Sequence, residues 1–244
     1  MLKTILRKLK QPFKHDNGWA ERTKRDADCI QALLPTLLKA DSNCVDVGAH
    51  TGEWLDDFLK FAPQGKHFGF EGLPELAEGL KKRYPSVRIE GCAVSDTNGK
   101  ATFHRAVSQL AWSGLRKQDY GSNTPVEQIE VPMRTLDSLI GDTPVTFMKL
   151  DIEGAEHAAL LGARETIRKS RPSMIFEYAF VHVEEYKISP EMIWDLLVED
   201  YKMGLFSLDR TPIASRQAWT RKCQYAAKSE YGRDAETNFL TQPV

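Results

Sequence analysis

The run Cys44-Val45-Asp46-Val47-Gly48-Ala49-His50-Thr51-Gly52-Glu53 constrains this chain more than any other stretch. An apolar segment carrying one acid leads into a turn bracketed by two glycines. A segment with helical apolar spacing follows over 53–61, and a second apolar run over 67–71 ends in Glu71, 19 residues past Gly52. Strand, turn, helix and strand at this spacing form the layout of a nucleoside-binding βαβ unit. The first strand carries the chain to the sheet edge, small residues let the backbone approach a ligand, and the second acid accepts ribose hydroxyls. The glycines stand as G-x-x-x-G, not G-x-G-x-x-G, and Asp46 precedes them. A pyrophosphate needs bare N–H groups and is repelled by an acid, whereas a cationic ligand is favoured by one. S-adenosylmethionine, with its sulfonium, α-ammonium and ribose diol, suits this charge pattern; a nicotinamide dinucleotide does not.

The rest of the chain repeats the alternation. A helix is predicted over 27–38 and strands over 43–47, 67–71 and 87–94, with a helix over 74–84 that has Pro74 in its first turn. Residues 101–105 and 127–133 read as extended segments, separated by a mobile loop over 108–125 rich in Ser, Gly, Gln and Asn. Thr135 caps a short helix to Ile140. Strands over 145–150 and 173–176 flank a helix over 155–169, Ser189-Pro190 starts a helix to about Tyr201, and 204–208 with 238–241 close the sheet as a terminal pair. Such alternation predicts an α/β fold with a doubly wound parallel sheet and right-handed crossovers. No repeat or proline-rich linker divides it, so one domain is expected over 21–244, preceded by a separate segment over 1–20.

Composition narrows the setting. The net charge of −1 provides no global field for nucleic acid. Cys29, Cys44, Cys92 and Cys223 are scattered without a C-x-x-C pair, which disfavours a zinc ribbon and fits a reducing, cytoplasmic compartment. No run reaches the roughly 20 apolar residues of a membrane span. Residues 1–14 hold Lys3, Arg7, Lys8, Lys10 and Lys14 and no acid, with Leu2, Ile5, Leu6, Leu9 and Phe13 at helical spacing. This short basic amphipathic helix reads either as a self-packed terminal helix or as a weak, salt-sensitive dock on the inner, anionic membrane face.

In an open α/β sheet, ligands bind outside the carboxyl ends of the strands. Asp46, Glu71, Asp96, Asp151 and Glu177 all stand at such ends in the predicted layout. Each acid alone reads more readily as a solvated turn or helix cap; together, at one edge, they read as a site. The motifs D-V-G-A-H-T-G at 46–52, G-F-E-G at 69–72, A-V-S-D at 93–96, T-L-D-S-L at 135–139, K-L-D-I-E-G-A-E at 149–156 and R-P-S-M-I-F-E at 171–177 resemble those of the FkbM-type methyltransferases. The resemblance covers roughly 43–177, and K-L-D-I-E-G-A-E is its most specific part. It implies a class I methyltransferase fold, Rossmann-like, mostly parallel with an antiparallel last strand. It also implies S-adenosylmethionine as donor, and O-methylation of sugars, glycans or secondary metabolites.

Residue roles follow from the resemblance by position. Asp46, Gly48 and Gly52 would form the donor's amino-acid end and the turn beneath it, with Ala49, His50 and Thr51 lining that turn through backbone N–H groups. Glu71 would hold the ribose diol, Leu73 would cover an adenine face, and Cys92, Ala93, Val94 and Asp96 would bracket the adenine edge. The sequence departs from the family at His50, where asparagine is usual, and at Gly72, where proline is usual. Asp151, Glu153 and Glu177 would face the methyl-transfer centre, with Asp151 as the leading base or acceptor-orienting group. Transfer from a sulfonium is an in-line displacement that needs alignment first and deprotonation of a hydroxyl second. The three acids also suit Mg²⁺ or Ca²⁺, a secondary reading; no metal is assigned to them. Glu156 and His157 read as scaffold, and Trp112 reads either as a packing anchor or as a platform for a sugar face. The expected acceptor is a small molecule or glycan. Two rivals stay open: a natural-product N- or carboxyl-methyltransferase, and a non-catalytic nucleoside- or partner-binding module of the same fold.

Overall fold

A computed structural model describes residues 18–118, 124–228 and 234–244. The basic amphipathic segment expected over 1–14 lies outside the described residues. Helix α1 (Trp19–Leu37) precedes the alternating core: β1 (Cys44–Val47), α2 (Glu53–Phe61), β2 (Phe68–Glu71), α3 (Pro74–Arg83) and β3 (Arg88–Gly91). After β4 (Ala93–Val94), β5 (Gly99–Ala106) and β6 (Val126–Arg134) come α4 (Leu136–Ile140), β7 (Phe147–Leu150), α5 (Glu156–Leu161), α6 (Arg164–Ser170) and β8 (Ser173–Glu177). The chain ends with α7 (Phe180–Val183), α8 (Pro190–Trp194), β9 (Met203–Ser207), α9 (Arg216–Lys228) and β10 (Asn238–Pro243).

Seven strands form one sheet in the order β3-β2-β1-β7-β8-β10-β9. The pairs β3–β2, β2–β1, β1–β7 and β7–β8 are parallel, while β10 runs antiparallel to both β8 and β9. The order reverses at β1 and β7, which places the switch point where a ligand crevice opens. Two apolar clusters cover the two faces. Val45, Val47, Met148, Leu150, Met174 and Phe176 point into one, and Cys44, Phe147 and Ile175 into the other, as the two-residue period of a strand requires. Phe58, buried in the second cluster, meets Phe147 edge-on at 5.8 Å. At the other end Trp219 of α9 packs at 4.6 Å against Phe239 of β10 and donates its indole N–H to Pro190 O at 2.7 Å. Such a ring pair contributes about 0.5–1.5 kcal/mol beyond its buried area.

Four expected elements differ in detail. The strand expected over 87–94 splits at Cys92, and β4 leaves the main sheet to pair with β6 in a second, three-stranded sheet, β4-β6-β5. The segment expected to be a mobile loop contains a 3₁₀ turn, Leu110–Trp112, and Gly114 bridges back to His104 of β5. The helix expected over 155–169 breaks at Gly162, where a Cβ would lie 2.1 Å from the Ser95 carbonyl oxygen. The helix starting at Pro190 continues as a π-helical stretch, Asp195–Asp200. Thr135 does cap α4, its hydroxyl accepting the Ser138 N–H at 3.3 Å. Among the described residues no helix is long and apolar enough to cross a membrane, and all four cysteines are free.

Candidate active site

The turn after β1 is held by its own backbone. Gly48, His50 and Gly52 have φ of 82°, 46° and 89°. Gly48 N–H and Ala49 N–H both donate to Phe70 O, at 2.9 and 3.0 Å, which ties the turn to β2. A Cβ on Gly48 would lie 2.1 Å from the Asp151 carbonyl oxygen, and one on Gly52 2.5 Å from the Tyr84 ring. Glycine is therefore required twice, once for close approach to the end of β7 and once to start α2. Thr51 turns its hydroxyl to Glu53, 2.6 Å away.

Glu71 ends β2 beside this turn and is buried. Its two oxygens accept the N–H groups of His50 and Leu73, each at 2.8 Å. Burial raises its pKa, and those two bonds work in the opposite direction. A carboxylate offers about four acceptor positions, so the fixed oxygens keep capacity for a diol. The N–H groups of Ala49 and His50, expected to line the turn, are bonded within the protein, to Phe70 O and to Glu71. Gly72 stands where proline was expected because a Cβ there would lie 2.6 Å from the Phe103 ring of β5.

Leu73 is also corrected. It is buried in a small cluster with Ala93, Phe103 and Val131 and presents no open face. Cys92, Ala93 and Val94 are buried as well, and burial pushes the Cys92 thiol up to about 12, which leaves it inert at neutral pH. The polar edge of this region is Ser95 and the exposed Asp96, joined by a 3.2 Å hydrogen bond.

Asp46 occupies an unexpected place. In register it pairs with Lys149 across β1 and β7, so both side chains emerge on the same face. Asp46 has no solvent contact, Lys149 is buried, and Nζ lies 3.1 Å from Oδ1. The ammonium also donates to the carbonyls of Gly48 at 2.7 Å and Val47 at 3.3 Å, and stands 4.0 Å from Asp151. Burial works against the charge on Lys149, yet Asp46, Asp151 and Glu71 outweigh it and raise its pKa. Asp46 thus anchors Lys149 beneath the turn, and its carboxylate is not presented to a ligand as expected.

The acids of the acceptor side are brought together by a residue not foreseen in the sequence. His182 of α7 places Nδ1 2.8 Å from Glu177 Oε2 and Nε2 3.3 Å from Glu153 Oε2. Burial alone would lower its pKa, but the two carboxylates outweigh burial and raise it to about 10. Burial likewise pushes Glu177 up, and His182 overcomes it, for a net fall. Glu153 is raised to about 8, by burial first and then by Glu177 and Asp151, with His182 opposing. Asp151 differs from both, since 47% of its side chain is exposed.

For a cation, the geometry selects Asp151, Glu156 and Glu177, whose oxygens lie within 4.8 Å of one another, in place of the expected trio with Glu153. Glu156, expected to be scaffold, braces the turn before α5. It is buried, accepts the Ile152 N–H at 2.7 Å, and is raised to about 8 by burial and by Glu177.

Residues 46–204 match the family of the Methyltransferase FkbM domain. The chain belongs to the FkbM methyltransferase family. Among curated relatives it is similar to the 2-O-methyltransferase NoeI of Sinorhizobium fredii, 26% identical over 182 residues, covering 68% of this chain and 74% of the relative. Among solved structures it is similar to the methyltransferase FkbM of Methylobacillus flagellatus KT, with a TM-score of 0.50 and 16% identity over 98% of this chain. The match spans 57% of that longer protein and concerns the fold. The fold expected from the sequence, mostly parallel with an antiparallel last strand, is the one observed.

As an FkbM methyltransferase the chain is S-adenosylmethionine-dependent. The described residues fit that donor. The Gly48–Gly52 turn sits at the sheet's switch point, and Glu71 is preset by two N–H bonds for hydroxyls. Two functional residues escaped the sequence reading. Lys149 was visible as a lone cation in an apolar strand, Phe147–Leu150, at the register of Asp46. His182 carries no local signal, because its partners lie on two different strand ends.

Proposed function

We propose that this FkbM methyltransferase transfers a methyl group to a hydroxyl, and that the hydroxyl belongs to a sugar or glycan. The carrying observation is the contrast among the strand-end acids. Glu153 and Glu177 are held by His182, while Asp151 keeps 47% of its side chain exposed. Asp151 is therefore the carboxylate available to an acceptor. It follows directly on β7, where its carbonyl oxygen faces Gly48, so acceptor and donor turn meet at the sheet's switch point.

When bound, S-adenosylmethionine supplies an electrophilic methyl group on a sulfonium. Glu71 holds the ribose hydroxyls, and the Gly48–Gly52 turn takes the amino-acid end. Asp151 orients the acceptor hydroxyl and takes its proton at a carboxylate oxygen as the new C–O bond lowers the hydroxyl's pKa. Burial raises the pKa of Asp151, which strengthens it as a proton acceptor, while Lys149, 4.0 Å away, works in the opposite direction and favours the ionised form needed for that step. The hydroxyl acceptor agrees with the 2-O-methyltransferase name of the relative. Trp112, half-buried at the end of the 3₁₀ turn, supplies an aromatic face for a sugar ring.

Asp151→Asn tests the assignment, because it keeps shape while removing charge and proton acceptance. On an acceptor identified by a mass gain of one methyl group, turnover should fall by ~10²–10⁴-fold with donor affinity little changed. Near-wild-type turnover would defeat the base assignment and leave the donor site intact. Activity lost to a chelator and restored by Mg²⁺ would instead place a cation on Asp151, Glu156 and Glu177.

A further inference from the structure

His182 sits where two strand-end loops meet. The loop after β7 turns through two consecutive positive-φ residues, Glu153 at 59° and Gly154 at 99°. For Glu153, which carries a Cβ, this conformation is strained, so neighbouring contacts must hold it. A Cβ on Gly154 would lie 2.3 Å from the His182 carbonyl oxygen, so this turn is pressed directly on α7. The imidazole then reaches both sides, to Glu153 at 3.3 Å and to Glu177 at 2.8 Å. With both ring nitrogens engaged, His182 is not placed to take a proton from an acceptor.

A third segment joins the same point. Gln118, in the connection between β5 and β6, donates its amide to Glu153 O at 2.8 Å and lies 3.4 Å from Glu153 Oε2. In the same connection, a Cβ on Gly114 would stand 3.5 Å from Glu153 Cβ. This connection carries Trp112, and it meets the sheet edge through Glu153.

We propose that His182 is a positioning residue for methyl transfer: it bolts the Glu153–Gly154 turn to the end of β8 and, through Glu153 and Gln118, seats the 107–118 segment on the acceptor side. The role rests on the reading of these strand ends as the acceptor site. It requires His182 to donate from both nitrogens at once. Removing it should loosen the turn and the segment together without touching the donor turn, which is held by Phe70, Glu71 and Lys149.

The test uses full-length protein and three variants. His182→Phe keeps a ring and removes both donors. His182→Gln keeps one donor at the reach of Nε2, and His182→Asn keeps one near Nδ1. Hydrogen exchange of 107–118 and 151–155, which needs no acceptor, is the first readout. Calorimetry with S-adenosylmethionine is the second, and acceptor kinetics on a panel of methyl glycosides the third. In His182→Phe, exchange in both segments should quicken at least tenfold while donor affinity stays within about twofold. The acceptor KM should rise more than kcat falls. His182→Gln should restore slow exchange in 107–118, and His182→Asn should not. Unchanged exchange in folded His182→Phe, or equal restoration by both amides, overturns the proposal. Should His182→Phe not fold, the Gln-to-Asn contrast decides alone. Asp151→Asn run in parallel separates the two readings: full turnover there removes the base assignment, whereas the exchange result still judges His182.

Discussion

Lys149 Nζ lies 3.1 Å from Asp46 Oδ1 across two adjacent parallel strands, in a layer where Asp46 has no solvent contact. The pair changes the electrostatics expected of the donor turn. The acid preceding the glycines is paired with an ammonium, and Glu177 is likewise paired with His182, so attraction for a cationic donor must come from Glu71 and Asp151. The ammonium also pins the carbonyls of Val47 and Gly48, so one residue of β7 fixes the turn that follows β1.

Breaking that pair from one side should be severe. Burial already raises the pKa of Asp46 against the pull of Lys149, and Lys149→Met strips this buried acid of its counter-charge, a loss of about 3–5 kcal/mol of stability. Adding Asp46→Asn to Lys149→Met should recover a large part of it. Urea unfolding of the single and double variants measures both; an additive pair would mean that the two side chains do not interact.

Gly48→Ala should lower both stability and donor affinity. The new Cβ would meet the Asp151 carbonyl oxygen at 2.1 Å in a residue with φ of +82°. Gly79, inside α3 with nothing within 4 Å of its Cβ position, is the control. Gly79→Ala should stabilise by about 0.5–1 kcal/mol. Thermal melts with and without S-adenosylmethionine distinguish the two sites.

Glu71→Ala should weaken donor binding at least tenfold, because hydrogen bonds to a charged group are worth ~1.5–3 kcal/mol each. It should also lower the melting temperature, since the N–H groups of His50 and Leu73 lose their acceptor. Calorimetry on the folded variant checks the first effect; unchanged affinity would remove Glu71 from the site.

Stability should decline on the alkaline side of neutrality. His182 is raised from 6.5 to about 10, so the folded protein holds a proton that the unfolded chain releases across that window. The contribution is complete below pH 6.5 and is lost as pH climbs through about 10. Glu153, raised from 4.5 to about 8 by burial, acts in the same direction across a lower window. Glu177, lowered on balance, acts oppositely and only under acid conditions. Urea midpoints from pH 5 to 10 should fall for the wild type and fall less steeply for His182→Gln. Parallel slopes would take His182 out of the linkage.

The main sheet and its switch point were legible because strand–turn–helix alternation is local, and Gly48, Gly52 and Glu71 mark it within one βαβ unit. Asp151 and Glu177 were legible as strand-end acids for the same reason, whereas Glu153 came only through the resemblance of K-L-D-I-E-G-A-E at 149–156. What escaped depends on contacts between distant segments. Nothing near Cys92 announces that the chain leaves one sheet for another, and nothing near His182 announces two carboxylates from different strand ends. Leu73 looked like a ligand wall from its position after Glu71, but β5 and β6 supply Phe103 and Val131 to bury it.

The placement of β10 bears on the order of assembly. Among the described residues β9 joins the main sheet only through β10, and β10 is also what covers the free edge of β8. During synthesis β8 and β9 therefore wait, each with unpaired backbone, until residues 238–243 arrive between them. The sheet cannot be completed from the N-terminal side, and the interval exposes an apolar edge of the kind that pairs with other chains. A cut that removes β10 would reopen both edges at once, so a nascent or clipped form of this protein is the one most prone to aggregate.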